Sequence, residues 1–197
     1  MKRIESWMAR GCAAWPGLLA LLFAAAASGP RTIIAHWPKL AQATAKVMME
    51  KYGRPDQFDD HALVWFKKGP WKRTIVYRKA MRHEPRGIDK DVLQQTIGYL
   101  VPVEKMNDIA RFNRLIEVSQ TAGELTVCSD SESKNYLTVN LAHQIATGKM
   151  SVEEARAAYA KTSRLEMAGK SSPDLKGFQF EVDNDRVMIP TGGDSGN

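Results

Sequence analysis

Cysteine is nearly missing from this chain, with two thiols, Cys12 and Cys128, in 197 residues. So few exclude a disulfide framework as the source of stability. Histidine is scarce as well. The four, His36, His61, His83 and His143, never recur at the H-x-x-x-H or H-E-x-x-H spacing that places two imidazoles on one helical face for a metal. There is no internal repeat and, past the first 30 residues, no low-complexity run. A long apolar span is also lacking. The one uncharged stretch, Ala13 to Ala27, contains Pro16 and Gly17 and falls short of the roughly 20 residues a transmembrane helix needs.

That stretch has a different use. Lys2, Arg3 and Arg10 precede it, Leu18 to Phe23 form its apolar centre, and Ala25-Ala26-Ala27 offers a small-residue exit. This order predicts a secretory signal peptide over residues 1–27, cleaved before Ser28. Adjacent arginines, the mark of a twin-arginine signal, are not present, and Cys12 stands ahead of the apolar run where a lipoprotein cysteine would follow it. Cleavage would remove three positive and one negative side chain, lowering the net charge from +6 to +4. It would leave Cys128 as the sole thiol, so the roughly 170 remaining residues must hold together by a hydrophobic core.

The element pattern predicts α+β: an antiparallel β-meander of about five strands with helices packed on one face. Trp37 to Tyr52 reads as a helix with Leu40, Ala43, Val47 and Met48 inward, and with Lys39, Lys46 and Lys51 toward solvent. Leu63 to Lys68 and Trp71 to Arg78 read as a hairpin around Gly69-Pro70. Its second strand would set Trp71, Ile75 and Tyr77 on one face with Arg73. Val92 to Val101 reads as a third strand and Val103 to Phe112 as a short helix. Leu115 to Val118 and Leu125 to Cys128 flank a turn. A capping box of Ser129 with Glu132 opens a helix striped by Leu137, Leu141 and Ile145; another, Ser151 with Glu154, opens the last helix. The domain is expected over residues 28–170. Residues 171–197 form a C-terminal segment with a candidate edge strand at Phe178 to Val182 and a disordered end.

Chemistry-bearing motifs are few. Gly193-Asp194-Ser195-Gly196 resembles the nucleophile motif of trypsin-like serine proteases, yet one residue follows it and no Ala-Ala-His-Cys context precedes it. Asp59-Asp60-His61 and Asp183-Asn184-Asp185 read as loop acids, since the latter lacks the glycine and terminal glutamate of a calcium loop. Cys128 closes an apolar alternation and reads as a buried thiol. Asn140, His143 and Gln144 form a polar patch beside the helix stripe. No catalytic, metal or cofactor residue is assigned.

The unbalanced feature is basic. Lys67, Lys68, Lys72, Arg73, Arg78, Lys79, Arg82 and Arg86 face one acid, Glu84, with Trp65, Phe66, Trp71 and Tyr77 interleaved. Lys67, Lys68, Trp71, Lys72, Arg73, Arg78 and Arg82 are therefore the expected contacts for an anionic or acidic protein partner. Nucleic acid is not expected, because export removes the chain from it. Tyr52-Gly53-Arg54-Pro55-Asp56 followed by a strand with Trp65 resembles the helix-to-hairpin passage of small envelope lipoproteins that assist outer-membrane protein assembly. Their lipidated cysteine and helix-opening Gly-Met-Thr are absent, and no functional residue carries over. The expectation is a non-enzymatic, exported bacterial binding module of the periplasm or envelope. The alternatives are a periplasmic enzyme with a site drawn from Cys128, His143 and Asp59 to His61, and a structural envelope protein.

Overall fold

The computed structural model describes residues 29–80, 91–183 and 187–190. The expected signal segment, Arg82, Arg86 and the Gly193 to Gly196 motif lie outside them. The helices are α1 (Pro30–Ile34), α2 (Lys39–Tyr52), α3 (Met106–Phe112), α4 (Glu132–Ala146) and α5 (Val152–Met167). The strands are β1 (Gln57–Phe58), β2 (Ala62–Lys68), β3 (Trp71–Tyr77), β4 (Leu93–Gly98), β5 (Glu117–Ser119) and β6 (Glu124–Ser129). They form one antiparallel sheet in the order β1-β2-β3-β4-β6-β5. The α+β expectation holds. The short β1 adds a strand, and the chain passes outside β6 to place β5 at the edge.

Period-two alternation divides the sheet into two faces. Leu63, Trp65, Val76, Leu93, Ile97, Leu125 and Val127 point to the helices and are buried. Val64, Phe66, Arg73, Ile75, Gln94, Thr96 and Cys128 belong to the opposite face, as the cross-strand pairs Phe66 with Arg73, Arg73 with Thr96, and Gln94 with Cys128 require. Two apolar clusters form under the helices. One joins α1 and α2 to Leu63, Trp65, Val76 and Leu93; the other joins α3, α4 and α5 to Ile97, Leu125 and Val127. Tyr52 packs against both.

Helix α2 meets the sheet on a face rotated from the expected one, with Met48 inward as expected and Leu40, Ala43 and Val47 not. Ala41, Thr44, Ala45 and Met48 are buried, whereas Leu40 and Val47 remain 38% and 54% exposed. The small Ala41 and Ala45 share one close-packed cluster with Trp65, in which a larger side chain at either site would meet filled space. Leu40 and Val47 are thereby left on the flank.

Helix α4 is capped by Ser131 and not by Ser129: the Ser131 hydroxyl accepts from Lys134 N at 3.4 Å. Ser129 ends β6, and its hydroxyl lies 2.7 Å from both the Ser131 carbonyl and Asn135 Oδ1. Glu132 is thus the first helical residue and is released from capping. The Leu137, Leu141, Ile145 stripe is buried as expected, and Gly148 ends the segment at φ 72°. The capping box of α5 forms fully. Glu154 N donates to the Ser151 hydroxyl at 3.2 Å and Ser151 N to Glu154 Oε2 at 2.8 Å. Ser151→Ala should cost about 1 kcal/mol, a fall of roughly 2–4 °C in melting temperature. An unchanged melting curve would show that α5 is held by packing alone.

The candidate edge strand at Phe178 to Val182 is not a strand. Beyond a 3-10 turn at Pro173–Leu175, the segment runs irregularly across α4. Gln179 N donates to the Asn140 side chain at 2.9 Å, not to a sheet ladder. The phenyl rings of Phe178 and Phe180 both turn inward.

Candidate binding cleft

A cleft of about 480 Å³ opens between α2 and the start of α4. Leu40, Ala43, Val47 and Lys51 form one wall; Asp130 to Ser133, Tyr136, Leu175 and Lys176 form the other, over Met48 and Leu93. The exposed apolar flank of α2 is therefore one side of a concavity. No sequence signal separates such a flank from a core stripe, because both recur at helical spacing.

Beneath the cleft lies a buried polar network centred on Glu132, which is 9% exposed. Its Oε1 accepts from Trp71 Nε1 at 2.7 Å and Gln95 Nε2 at 3.1 Å, and from the Tyr52 hydroxyl; Oε2 accepts from the Lys51 ammonium. Gln95 Nε2 also reaches Thr74 Oγ1 at 3.2 Å, while Gln95 Oε1 accepts from Asn135 Nδ2 at 3.0 Å. One carboxylate thus ties α2, the hairpin, β4 and α4 together at the junction of the two apolar clusters. Removing a buried charge from water is costly, and four donors offset that cost. Burial alone would lower the Lys51 pKa, but its hydrogen bond to Glu132 and the charge of Glu132 prevail and raise it. Burial first, and Glu132 second, push the Tyr52 hydroxyl far up. Three of its four donors converge on Oε1 and come from α2, β3 and β4, so the bonds of Glu132 join structural elements. It is a positioning group.

The expected contact residues fall in several environments. Trp71 is fully buried, against Tyr136 at 5.1 Å and Phe178 at 4.9 Å between ring centres, so it presents no surface to a partner. The period-two grouping with Ile75 and Tyr77 fails at the hairpin end, where Lys67 takes a positive φ of 49° and the indole reaches Glu132. Lys72 and Arg73 both pair with Glu124, at 2.7 and 3.2 Å. Burial would raise the Glu124 pKa, and these two cations overcome it and lower it. Arg78 pairs with Asp60. Lys67 is exposed and Lys68 half-buried at the tip beside Phe66, which is 41% exposed. The carboxylates that meet the basic run come from distant or turn positions.

The residues considered for an assembled enzyme site do not converge. Cys128 lies on the sheet face away from the helices, its Sγ 3.6 Å from the Asp91 carbonyl, and burial with the charges of Asp91 and Glu117 pushes its thiol up to about 12. A thiol so protonated is a poor nucleophile. His143 is on α4, on the helical side, stacked on Phe180 at 4.0 Å with Nδ1 3.0 Å from the Tyr99 hydroxyl. Burial, then the nearby Lys149, lowers its pKa. Asp59 is spent in its own turn, accepting from His61 N and Ala62 N at 2.7 and 2.8 Å. Among the described residues no group of three His, Cys, Asp or Glu side chains could hold a metal ion, and no helix is long and apolar enough to cross a membrane.

No family model, curated protein or solved structure matches this chain.

Proposed function

We propose that this chain is an exported, non-enzymatic binding module, and that its α2/α4 cleft receives an amphipathic segment of a partner protein in the bacterial envelope. The supporting observation is the pairing of an apolar flank with uncompensated positive charge. Leu40 and Val47 stand exposed over the cleft, and the Lys176 ammonium on the opposite rim has no carboxylate partner among the described residues. The two acids that line the cleft are already engaged, Asp130 by Lys134 at 2.7 Å and Glu132 by Lys51. An occupant that sets an apolar side chain beside Val47 and a carboxylate toward Lys176 meets both requirements. Export rests on the charge, apolar run and alanine exit of residues 1–27.

The test is retention of the mature chain on its own envelope fraction. Val47→Glu and Lys176→Glu should each reduce retention at least about tenfold, with melting temperature unchanged, since both side chains are surface groups. Retention that ignores both substitutions but is lost with Lys67→Glu and Lys68→Glu would overturn the cleft and favour the hairpin tip as an anionic contact. That outcome would also show steep salt dependence.

A further inference from the structure

The C-terminal segment after α5 is held in the manner of a bound peptide. Its recognition begins with Asn140, buried on α4 at 2% exposure. The Asn140 Nδ2 donates to the carbonyls of Asp174 at 3.2 Å and Gly177 at 2.9 Å, and its Oδ1 accepts from Gln179 N. One side chain therefore reads three backbone groups of an irregular segment. Two aromatic residues of that segment, two positions apart, enter adjoining aromatic pockets. Phe178 sits edge-on to Trp71 and Tyr136 at 4.9 and 5.1 Å, and Phe180 stacks on His143 and meets Tyr99 at 6.1 Å. Gln179 and Glu181, between and after them, face solvent.

Two of the wall side chains are fixed by bonds that do not involve the segment, although Met188 pairs with the backbone of Gly98 and Leu100 beside Tyr99. Trp71 is held by Glu132 and Tyr99 by His143. Alternate side chains giving specificity, and backbone groups giving affinity, are the ingredients of extended-peptide recognition. We propose that Asn140 and the pairs Trp71–Tyr136 and Tyr99–His143 form a groove for extended peptides carrying aromatic residues two apart. The chain's own Phe178-Gln179-Phe180 fills it here, and an external segment of that pattern binds by displacing it. This groove adjoins the α2/α4 cleft, sharing Tyr136 with it, and the same segment supplies Leu175 and Lys176 to the cleft wall.

The test uses the full chain with a protease site inserted between the exposed Lys170 and Ser171, cut after folding. A fluorescent peptide of residues 171 to 190 should then exchange into the cut protein while its circular dichroism and cooperative unfolding persist. The same peptide with Phe178→Ala and Phe180→Ala should bind roughly 100-fold more weakly, about a factor of ten for each lost anchor. Loss of the native fold on cutting would overturn the proposal. So would a folded cut chain that exchanges no peptide, or that takes up the doubly substituted peptide equally well.

Discussion

Glu132→Ala should destabilise the protein by about 3–5 kcal/mol, on the order of 10 °C in melting temperature, in a thermal or urea unfolding series. The size follows from what the substitution leaves behind. Trp71 Nε1 is a buried donor that loses its acceptor, Gln95 Nε2 keeps only Thr74 Oγ1, and Lys51 loses its counter-charge. An unsatisfied buried donor costs more than the bond itself was worth. Lys51→Met should cost much less, roughly 1–2 kcal/mol, because Lys51 is 45% exposed and the carboxylate keeps three other donors. Equal costs for the two substitutions would mean an isolated ion pair and not a network. The functional consequence is that α2 is fixed relative to α4, so the cleft keeps its shape when empty.

Alkaline pH should unfold the protein from about pH 9 upward. Burial, aided by Asp91 and Glu117, pushes Cys128 up to about 12, and burial is also the first cause of the raised values of Tyr52, Tyr77, Tyr99, Tyr136 and Tyr159. Each of these groups keeps its proton longer folded than unfolded. Above its ordinary pKa the unfolded chain therefore binds fewer protons than the native one, and stability falls as pH rises toward the folded value. Cys128 alone contributes about 1.4 kcal/mol per pH unit in that window; the buried Tyr99 and Tyr136 act in the same direction, and the partly exposed Tyr52, Tyr77 and Tyr159 add smaller, screened amounts. Lys51 acts in the same direction, since its raised pKa stabilises the folded state only while it stays protonated. Replacing Cys128 by Ala should move the onset upward by about one pH unit, toward the ordinary tyrosine range. Denaturant midpoints constant to pH 11 would contradict the burial of these groups.

Local signals in the sequence carried most of the elements and little of the site. Turn residues at Gly69-Pro70, the proline and glycine around α2 and the Ser151 box all act within a few residues, so their reading survives folding. Faces and partners are decided over long separations. Leu40 and Val47 fit a helical stripe as well as Ala41 and Ala45 do, and only the packing of the whole cluster with Trp65, Leu63 and Leu93 selects the alanines. Glu132 fits a cap at three residues after Ser129, yet its donors come from residues 37 to 81 positions away. One signal was present. Gln95 shares the face of Leu93 and Ile97, and a glutamine on an apolar strand face demands a buried partner. The basic run looked unbalanced because Glu124 lies about 50 residues beyond it, and the charge on Lys72, Arg73 and Arg78 is largely met within the molecule. Asn140 and His143 were visible as a polar patch on α4, but its purpose appears only with Phe178 and Phe180 laid across it.

Photocross-linking in the producing cell tests the binding account most directly. A photoreactive residue is placed at Val47, in the cleft, and for comparison at Met167, which is 78% exposed at the end of α5. The account predicts a discrete adduct from position 47 and none from 167, with the linked partner peptide carrying an apolar residue beside a carboxylate, and its loss on Lys176→Glu. Adducts equal at both positions, or an adduct at 47 indifferent to Lys176→Glu, would contradict it.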